Sequence, residues 1–487
     1  MAPRAWSRLV VAEHRVVWLR NDLRLADHPA LHRACDDSQA QVTALYAYTP
    51  GQWRQHDMSL VRQDFEWRQL RALATSLAEL NIALVVIEAN DYATLVPEIV
   101  AWCQSHQVSA LYAHEAYELN EQARDKHLQQ GLHAQGIATH WLHDSCIITP
   151  GQVLTGDGRF YTVFTPFKRN WLAQLAAHQV QLLPPPSKRP APAIQSTALS
   201  ASAPGLARDA RQPLLDTLWP VGEREAHKRL AQFIADDGRR YKDQRDFPAI
   251  NGTSTLSPYL AAGVLSARQC LVAAEQHKRH HADQQGLDTW ISELCWRDFY
   301  KHILTGFPHV CRHQAFKRDT DRLPWSTHEA HFAAWCAGQT GFPIVDAAMR
   351  QLNETGWMHN RLRMIVAMFL TKDLFIDWRL GERYFMQQLI DGDLSANNGG
   401  WQWSASTGND AAPYFRIFNP FLQSKKCDPD GAFIRQFVPE LAHLDAKRIH
   451  EPHAKGRDVR LAYPLPIVDH GKARLDTLAY FKALTPP

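Results

Sequence analysis

At 487 residues the chain exceeds the roughly 250 to 300 that one hydrophobic core accommodates, so two domains are expected. Its hydrophobic share of 45% and charged share of 21% are those of an ordinary soluble globular protein. A net charge of +3 excludes a uniformly basic nucleic-acid coat, and any such contact must come from a local patch.

The eight cysteines are scattered without paired ligand spacing, so they read as reduced thiols and give zinc or any other metal no support. His277, His280 and His281 lie among Lys and Arg with no carboxylate or cysteine at ligand spacing, which fits a solvated face. Near the start, Arg4, Arg8, Glu13 and Arg15 surround a three-residue apolar run, unlike a signal peptide. The longest apolar run, near 364–370, is far below the roughly 20 residues that span a bilayer. A cytoplasmic protein is expected.

After an N-terminal extension over 1–14, short apolar runs at 16–19, 42–48, 82–87, 110–113 and 139–142 alternate with helical patterns at 64–80, 92–105 and 120–133. That alternation predicts βαβ units and a parallel, Rossmann-like sheet over 15–150. No Gly-x-Gly-x-x-Gly turn follows the first run, so a nicotinamide dinucleotide site has no support. Eight prolines fall between 183 and 221 among Ser, Ala, Gln and Arg, a composition suited to a surface connection, and 151–222 is read as the interdomain linker. From 223 to 487 the helical period dominates, as at 289–303, 344–353 and 360–374, and the second domain is expected to be mainly α-helical.

Within it, Gly252-Thr-Ser-Thr-Leu-Ser257 places small hydroxyl residues ahead of a helix, which suits a phosphate and equally suits simple capping. Trp290, Glu293, Trp296 and Arg297 share one helical face and can border a cavity, although packed tryptophans on an amphipathic helix would look the same. The densest stretch runs from Gly356 to Trp403. Leu362, Ile365, Val366, Phe369 and Leu370 predict a helix over 357–372. His359, Asn360, Arg361 and Arg363 on its other faces suit an anionic or hydrogen-bonding ligand, and Asp391 or Asp393 can receive an arginine. Asn397-Asn398-Gly399-Gly400 reads as a flexible polar loop with close backbone approach, leading into Trp401 and Trp403.

Together with Val17-Trp-Leu-Arg-Asn-Asp-Leu-Arg24, Glu293-Leu-Cys-Trp-Arg297 and Thr340-Gly-Phe-Pro-Ile-Val-Asp346, these motifs resemble the DNA photolyase and cryptochrome family over nearly the whole chain. The resemblance is closest to the bacterial class I photolyases of cyclobutane pyrimidine dimers. It implies an α/β antenna-binding domain, a helical FAD-binding domain, and light-driven repair of a flipped-out dimer by reduced FAD. It further implies flavin contacts at Tyr241, Thr253, Ser254, Thr255, Leu256, Ser257, Trp290, Arg297, Arg363, Asp391, Asp393 and Asn397. Thr255 stands where some close relatives carry arginine. Glu293, Trp296, Asn360, Met364 and Trp403 would border the dimer, with Arg245 and Arg361 on the DNA backbone.

By the same resemblance, Trp401, Trp378 and Trp325 match the chain that carries an electron to oxidised flavin. Asn120, Glu121, Cys311 and Arg312 match the site of a 5,10-methenyltetrahydrofolate antenna, with Arg312 replacing the usual lysine. Enzymes of (6-4) photoproducts have a histidine pair where this chain has Asn360 and Met364, so cyclobutane dimers in UV-damaged DNA are the implied substrate. A monomer without metal or membrane partner is implied. The alternative is a cryptochrome-type blue-light photoreceptor, which a long C-terminal tail would favour, and little sequence follows Phe481.

Overall fold

In a computed structural model the fold is described for residues 13–207, 209–281, 285–454, 456 and 461–484. Most of the expected N-terminal extension, residues 1–12, lies outside them, and His14 already opens the first strand.

Strands β1 (His14–Leu19), β2 (Gln41–Tyr48), β3 (Ala83–Glu88), β4 (Ala110–His114) and β5 (Ala138–Leu142) form one five-stranded parallel sheet in the order 3-2-1-4-5. Successive side chains on a strand face opposite ways, and here both ways are apolar. Val17 and Leu19 join Phe65 and Leu70 of helix α1 (Leu60–Glu79), in a core that continues into the second domain. Val16 and Trp18 join Leu95 and Ile99 of α2 (Tyr92–Ser105) and Leu128 and Leu132 of α3 (Leu119–Ala134) on the other face.

The proline-rich connection is more than a tether. Within 151–222, helix α4 (Phe164–Ala177) buries Phe167 and Trp171, and Leu215 and Trp219 are also buried, so this stretch contributes to the core against expectation. Its middle part straps the open edge of β3: Thr197 donates to the Leu84 carbonyl at 2.8 Å, and Leu84 and Val86 donate to the Ser196 and Thr197 hydroxyls. An edge strand paired in this way no longer offers free backbone groups to another chain.

The helical domain is built around α5 (Glu223–Gln232), the long α6 (Gln285–Gly306), α7 (Pro343–Thr355), α8 (Asn360–Met368), α9 (Trp378–Gln388), α10 (Leu394–Ala405) and the closing α11 (His470–Leu484). Two of these differ from the expectation. Helix α8 starts at Asn360 because His359 caps it, its Nδ1 accepting from Arg361 N–H at 3.2 Å, and its last turn widens into a π-turn over Phe369–Asp373. The Asn397–Asn398–Gly399–Gly400 stretch is the middle of α10 rather than a loop. Asp393 caps that helix, accepting from Ala396 N–H at 3.0 Å, and a side chain on Gly399 would overlap the Tyr300 ring. Capping and tight packing thus outweigh weak helix propensity.

Charged side chains lock the domains together. Arg24 donates to the Gly263 carbonyl at 3.0 Å and pairs with Asp144 at 2.5 Å, while Arg268 bridges Asp27 at 3.0 Å and Asp144 at 2.7 Å. Gly263, at φ +65°, has room for no Cβ because it lies against the Asn21 carbonyl.

Candidate functional site

The interior of the helical domain holds the loop 252–257, which opens a short helix at Ser257–Ala261. Among the described residues, the backbone N–H groups of 253–257 find no protein acceptor. The loop itself is firmly tied: the Trp290 indole donates to Ser254 Oγ at 3.3 Å and the Trp357 indole to Ser257 Oγ at 3.1 Å. Unpaired N–H groups in succession make a ready cradle for an anion. Tyr241 closes one side, buried between Phe233 and the Arg245 guanidinium.

Deeper in, Arg363 donates from Nε to the Met358 carbonyl at 2.9 Å and from Nη2 to Asp391 Oδ2 at 2.7 Å. The other carboxylate oxygen of Asp391 is buried without a donor. Asn397, buried on α10, donates to the Glu382 carbonyl of α9 at 2.9 Å. An orphan carboxylate oxygen, a half-buried guanidinium and a phosphate-like cradle suit a nucleotide cofactor with ring N–H or ribose hydroxyl donors. FAD fits this set. Arg297 and Asp393, expected beside the flavin, have their polar partners on the cleft between the domains. Arg297 donates to the Ser145 carbonyl, and Asp393 pairs with Lys301 at 2.9 Å. Burial works against the Asp393 charge, yet the Lys301 and Arg297 cations hold the carboxyl far below its ordinary range.

The outer mouth gathers Glu293, Trp296, Asn360, Arg361, Met364 and Arg245. Arg245 pairs with Glu293 at 2.6 Å, and Arg361 pairs with Asp246 at 2.6 Å while its Nη1 approaches Met364 Sδ at 3.9 Å. Trp296 is half-buried and stacked at 3.6 Å on Phe164, which the sequence reading missed. Trp403 is half-buried on α10, and its carbonyl accepts from Ala412 N–H at 3.2 Å. That bond seats the segment carrying Tyr414 and Phe415, also missed, in which the Phe415 side chain is left 64% exposed. Two adjacent aromatic residues just after Pro413 were the available signal. Asn360 is exposed at the start of α8.

His359 is turned away and buried, with Nε2 lacking a partner. Burial holds its imidazole down from 6.5 to about 4. The unfolded chain takes up a proton below pH 6.5 that the folded ring refuses, so stability is lost as pH falls from about 6.5 toward about 4. Between pH 7 and 5 this should cost about 2 kcal/mol. His359→Asn keeps a capping side chain without the titration. Urea titrations at both pH values should show a smaller acid loss in the variant, and an equal loss would remove His359 as its source.

Trp401 and Trp378 are buried in the same core, and Trp325 lies at its edge, half-buried against Phe375 at 4.8 Å. Gly381 on α9, one turn after Trp378, lets the Trp401 ring lie directly on the helix backbone. The Arg379 guanidinium covers Trp378 at 4.7 Å.

Between the domains is a cavity of about 660 Å³ at the carboxyl ends of β1 and β4, the point where strand order reverses. Asn120, Glu121, Cys311 and Arg312 all line it, as do Arg297, Lys301 and Asp393. Glu121 accepts from the Tyr92 hydroxyl at 2.8 Å and Asn120 lies 3.2 Å from the His56 ring nitrogen. Trp18 forms the deep wall, with Arg20 and Arg124 over its ring at 4.8 and 4.6 Å.

Close by, Asp22, His28 and His114 are near enough to hold a cation. Their lone pairs are already engaged: His114 Nε2 accepts from Ala30 N–H at 3.1 Å, which leaves its Nδ1 proton for Asp22 at 2.6 Å. His28 Nδ1 likewise accepts from Leu31 N–H at 3.0 Å. The trio reads as a hydrogen-bonded anchor rather than a ligand set. Among the described residues no helix is long and apolar enough to cross a membrane.

Residues 15–191 match the family model described as DNA photolyase, and residues 290–483 that described as the FAD binding domain of DNA photolyase. The chain is 49% identical over 477 residues to the deoxyribodipyrimidine photo-lyase of Salmonella typhimurium, covering 96% of this chain and 98% of that one. Among solved structures it is similar to a class III photolyase of Agrobacterium tumefaciens, with TM-score 0.89, 34% identity and coverage of 99% of each chain. A Synechocystis cryptochrome follows with TM-score 0.85, 29% identity, and coverage of 96% of this chain and 99% of that one.

Proposed function

The chain belongs to the DNA photolyase family, and from that premise we propose that it repairs cyclobutane pyrimidine dimers in UV-damaged DNA by light-driven electron transfer, a carbon–carbon lyase activity. The observation that carries this reading is the Arg363–Asp391 pair, with one buried carboxylate oxygen left for a ligand, in the same helical domain as the Glu293–Arg245 pair and the half-buried Trp296.

A cyclobutane dimer offers no acidic proton or phosphate at the bonds to be broken, so the chemistry falls to a redox cofactor. Reduced FAD, when bound, supplies the light-driven electron that opens the ring and is recovered afterwards. The loop 253–257 with Tyr241 and Trp290 holds the nucleotide, and Arg363, Asp391 and Asn397 orient its ring. Extracting the dimer costs a few kcal/mol, least for a damaged base. Trp296 and Trp403 receive it by stacking, and Glu293 hydrogen-bonds it. Asn360 and Met364 complete the wall. Arg245 and Arg361 hold the flanking phosphates, which positions the duplex without reading sequence. Tyr414 is stacked on Phe481, which leaves the exposed Phe415 as the ring available to fill the gap left in the stack, as apolar wedges do in kinked DNA. Trp401, Trp378 and Trp325 carry an electron inward when the flavin is oxidised.

The interdomain cavity is assigned to a folate antenna, with Glu121 and Asn120 at its rim and Arg312 supplying the positive charge. The protein acts as a cytoplasmic monomer without metal or membrane partner.

Asn360 hydrogen-bonds but cannot donate a proton at neutral pH, and Met364 is an apolar wall, so (6-4) products, whose repair needs proton transfer, should remain untouched. The test combines the absorption spectrum and extracted chromophores of purified protein with blue-light treatment of two oligonucleotides, one per lesion. Flavin and folate in the extract and loss of the cyclobutane lesion alone are expected. Repair of the (6-4) strand alone, or neither strand with flavin bound, would overturn the substrate assignment, the latter favouring a photoreceptor. A deazaflavin without folate would remove the antenna assignment.

A further inference from the structure

The cradle at 253–257 turns through Thr255, whose φ of +48° lies in the left-handed region. A β-branched residue is a true outlier there, and such a conformation persists only where its surroundings hold it. The hold comes from α5. Arg229 Nη1 donates to Thr255 Oγ1 at 2.7 Å, and its Nη2 donates to the Leu218 carbonyl at 2.8 Å. The guanidinium is seated over the Trp219 and Tyr259 rings, each at 5.5 Å. Among the described residues it has no carboxylate in ion-pair range: Glu225, one turn earlier, pairs with Lys228 at 3.8 Å instead.

Three ties therefore fix successive parts of one short loop, from Trp290 to Ser254, from Arg229 to Thr255 and from Trp357 to Ser257. Two of them come from neutral indoles. The third is a cation without a counter-charge, set behind five backbone N–H groups that have no protein acceptor.

We propose that Arg229 is a positioning residue for the FAD pyrophosphate: by holding Thr255 in the left-handed turn it keeps the N–H groups of 253–257 converged on the anion. The proposal rests on the reading of this loop as the pyrophosphate cradle. It also explains how the site works with threonine at position 255, since the guanidinium arrives from α5.

The experiment is a set of FAD titrations on apoprotein, with melting of the apoprotein as the folding control. Arg229→Met should raise the FAD dissociation constant about tenfold or more. Glycine adopts the left-handed turn without help, so in the Thr255→Gly background the same change should have an effect within about twofold. Unchanged affinity in Arg229→Met overturns the proposal, and so does an equal loss in both backgrounds or a lower melting temperature with affinity intact. If Arg229→Met does not fold, Arg229→Lys, which cannot reach both Thr255 and Leu218, carries the same comparison. Thr255→Pro, which forbids the turn, separates the two layers. If it binds FAD normally, the cradle reading itself fails; if it loses FAD while Arg229→Met does not, only the role of Arg229 fails.

Discussion

Replacing Asp391 by alanine is expected to weaken FAD binding about 100-fold, close to 3 kcal/mol. The Asp391 carboxylate is 2% exposed and the Arg363 side chain 27%, so the variant would leave a half-buried guanidinium with only the Met358 carbonyl. Removing one partner of a fully buried pair costs about 3 to 5 kcal/mol, and the residual water around Arg363 places this case at the low end. Asp391 also contributes the orphan oxygen, an acceptor for a ligand donor, and the same substitution deletes it. Asp391→Asn keeps the shape and one acceptor, and should lose much less. The measurement is FAD content after purification together with titration of the apoprotein. Alanine variant that purifies with its full complement of FAD would show that neither the pairing nor the orphan oxygen serves the cofactor.

Trp325→Phe is expected to abolish photoreduction of oxidised flavin while leaving repair by chemically reduced enzyme unchanged. Trp325 packs against both the inner core that holds Trp378 and Trp401 and the outer cluster around Phe481, and it is the member of the three that meets solvent. Phenylalanine preserves the packing against Phe375 but is much harder to oxidise. Repair uses a different route, through the mouth at Trp296 and Trp403, so the two activities should separate. Illuminating oxidised protein with an external reductant, and assaying the reduced form on dimer-containing DNA, reads each in turn. Photoreduction at the parent rate would remove Trp325 from the path, and a parallel loss of repair would point to a structural defect.

Much of this was legible in the residues alone. The sheet announced itself because buried parallel strands must be apolar on both faces, and Val16-Val17-Trp18-Leu19 reads that way. Helices at 92–105 and near 120–133 followed from apolar periodicity and matched to within a residue or so. The residue types at Glu293, Trp296, Arg363 and Asp391 pointed to a hydrogen-bonding, aromatic-lined site, and the family resemblance assigned them parts. Local rules failed where the environment overrode propensity. Asn397 to Gly400 looked like a loop, yet Tyr300 needs the missing side chain of Gly399, and the Asp393 cap secures the helix around it.

What only the tertiary structure decided concerns partners distant in the chain. Nothing near Thr255 in the sequence names Arg229, 26 residues earlier, as the group that holds its strained turn. Nor does any local pattern direct Arg297 and Asp393 toward the cleft, where Ser145 and Lys301 meet them. The proline-rich connection likewise became a strap only because the β3 edge had hydrogen bonds to satisfy. Periodicity and residue type determine which faces are buried and which chemistry is available. Pairing across the fold is a matter of which charges and unpaired backbone groups packing brings within reach, and burial makes each such pairing costly to leave unmade.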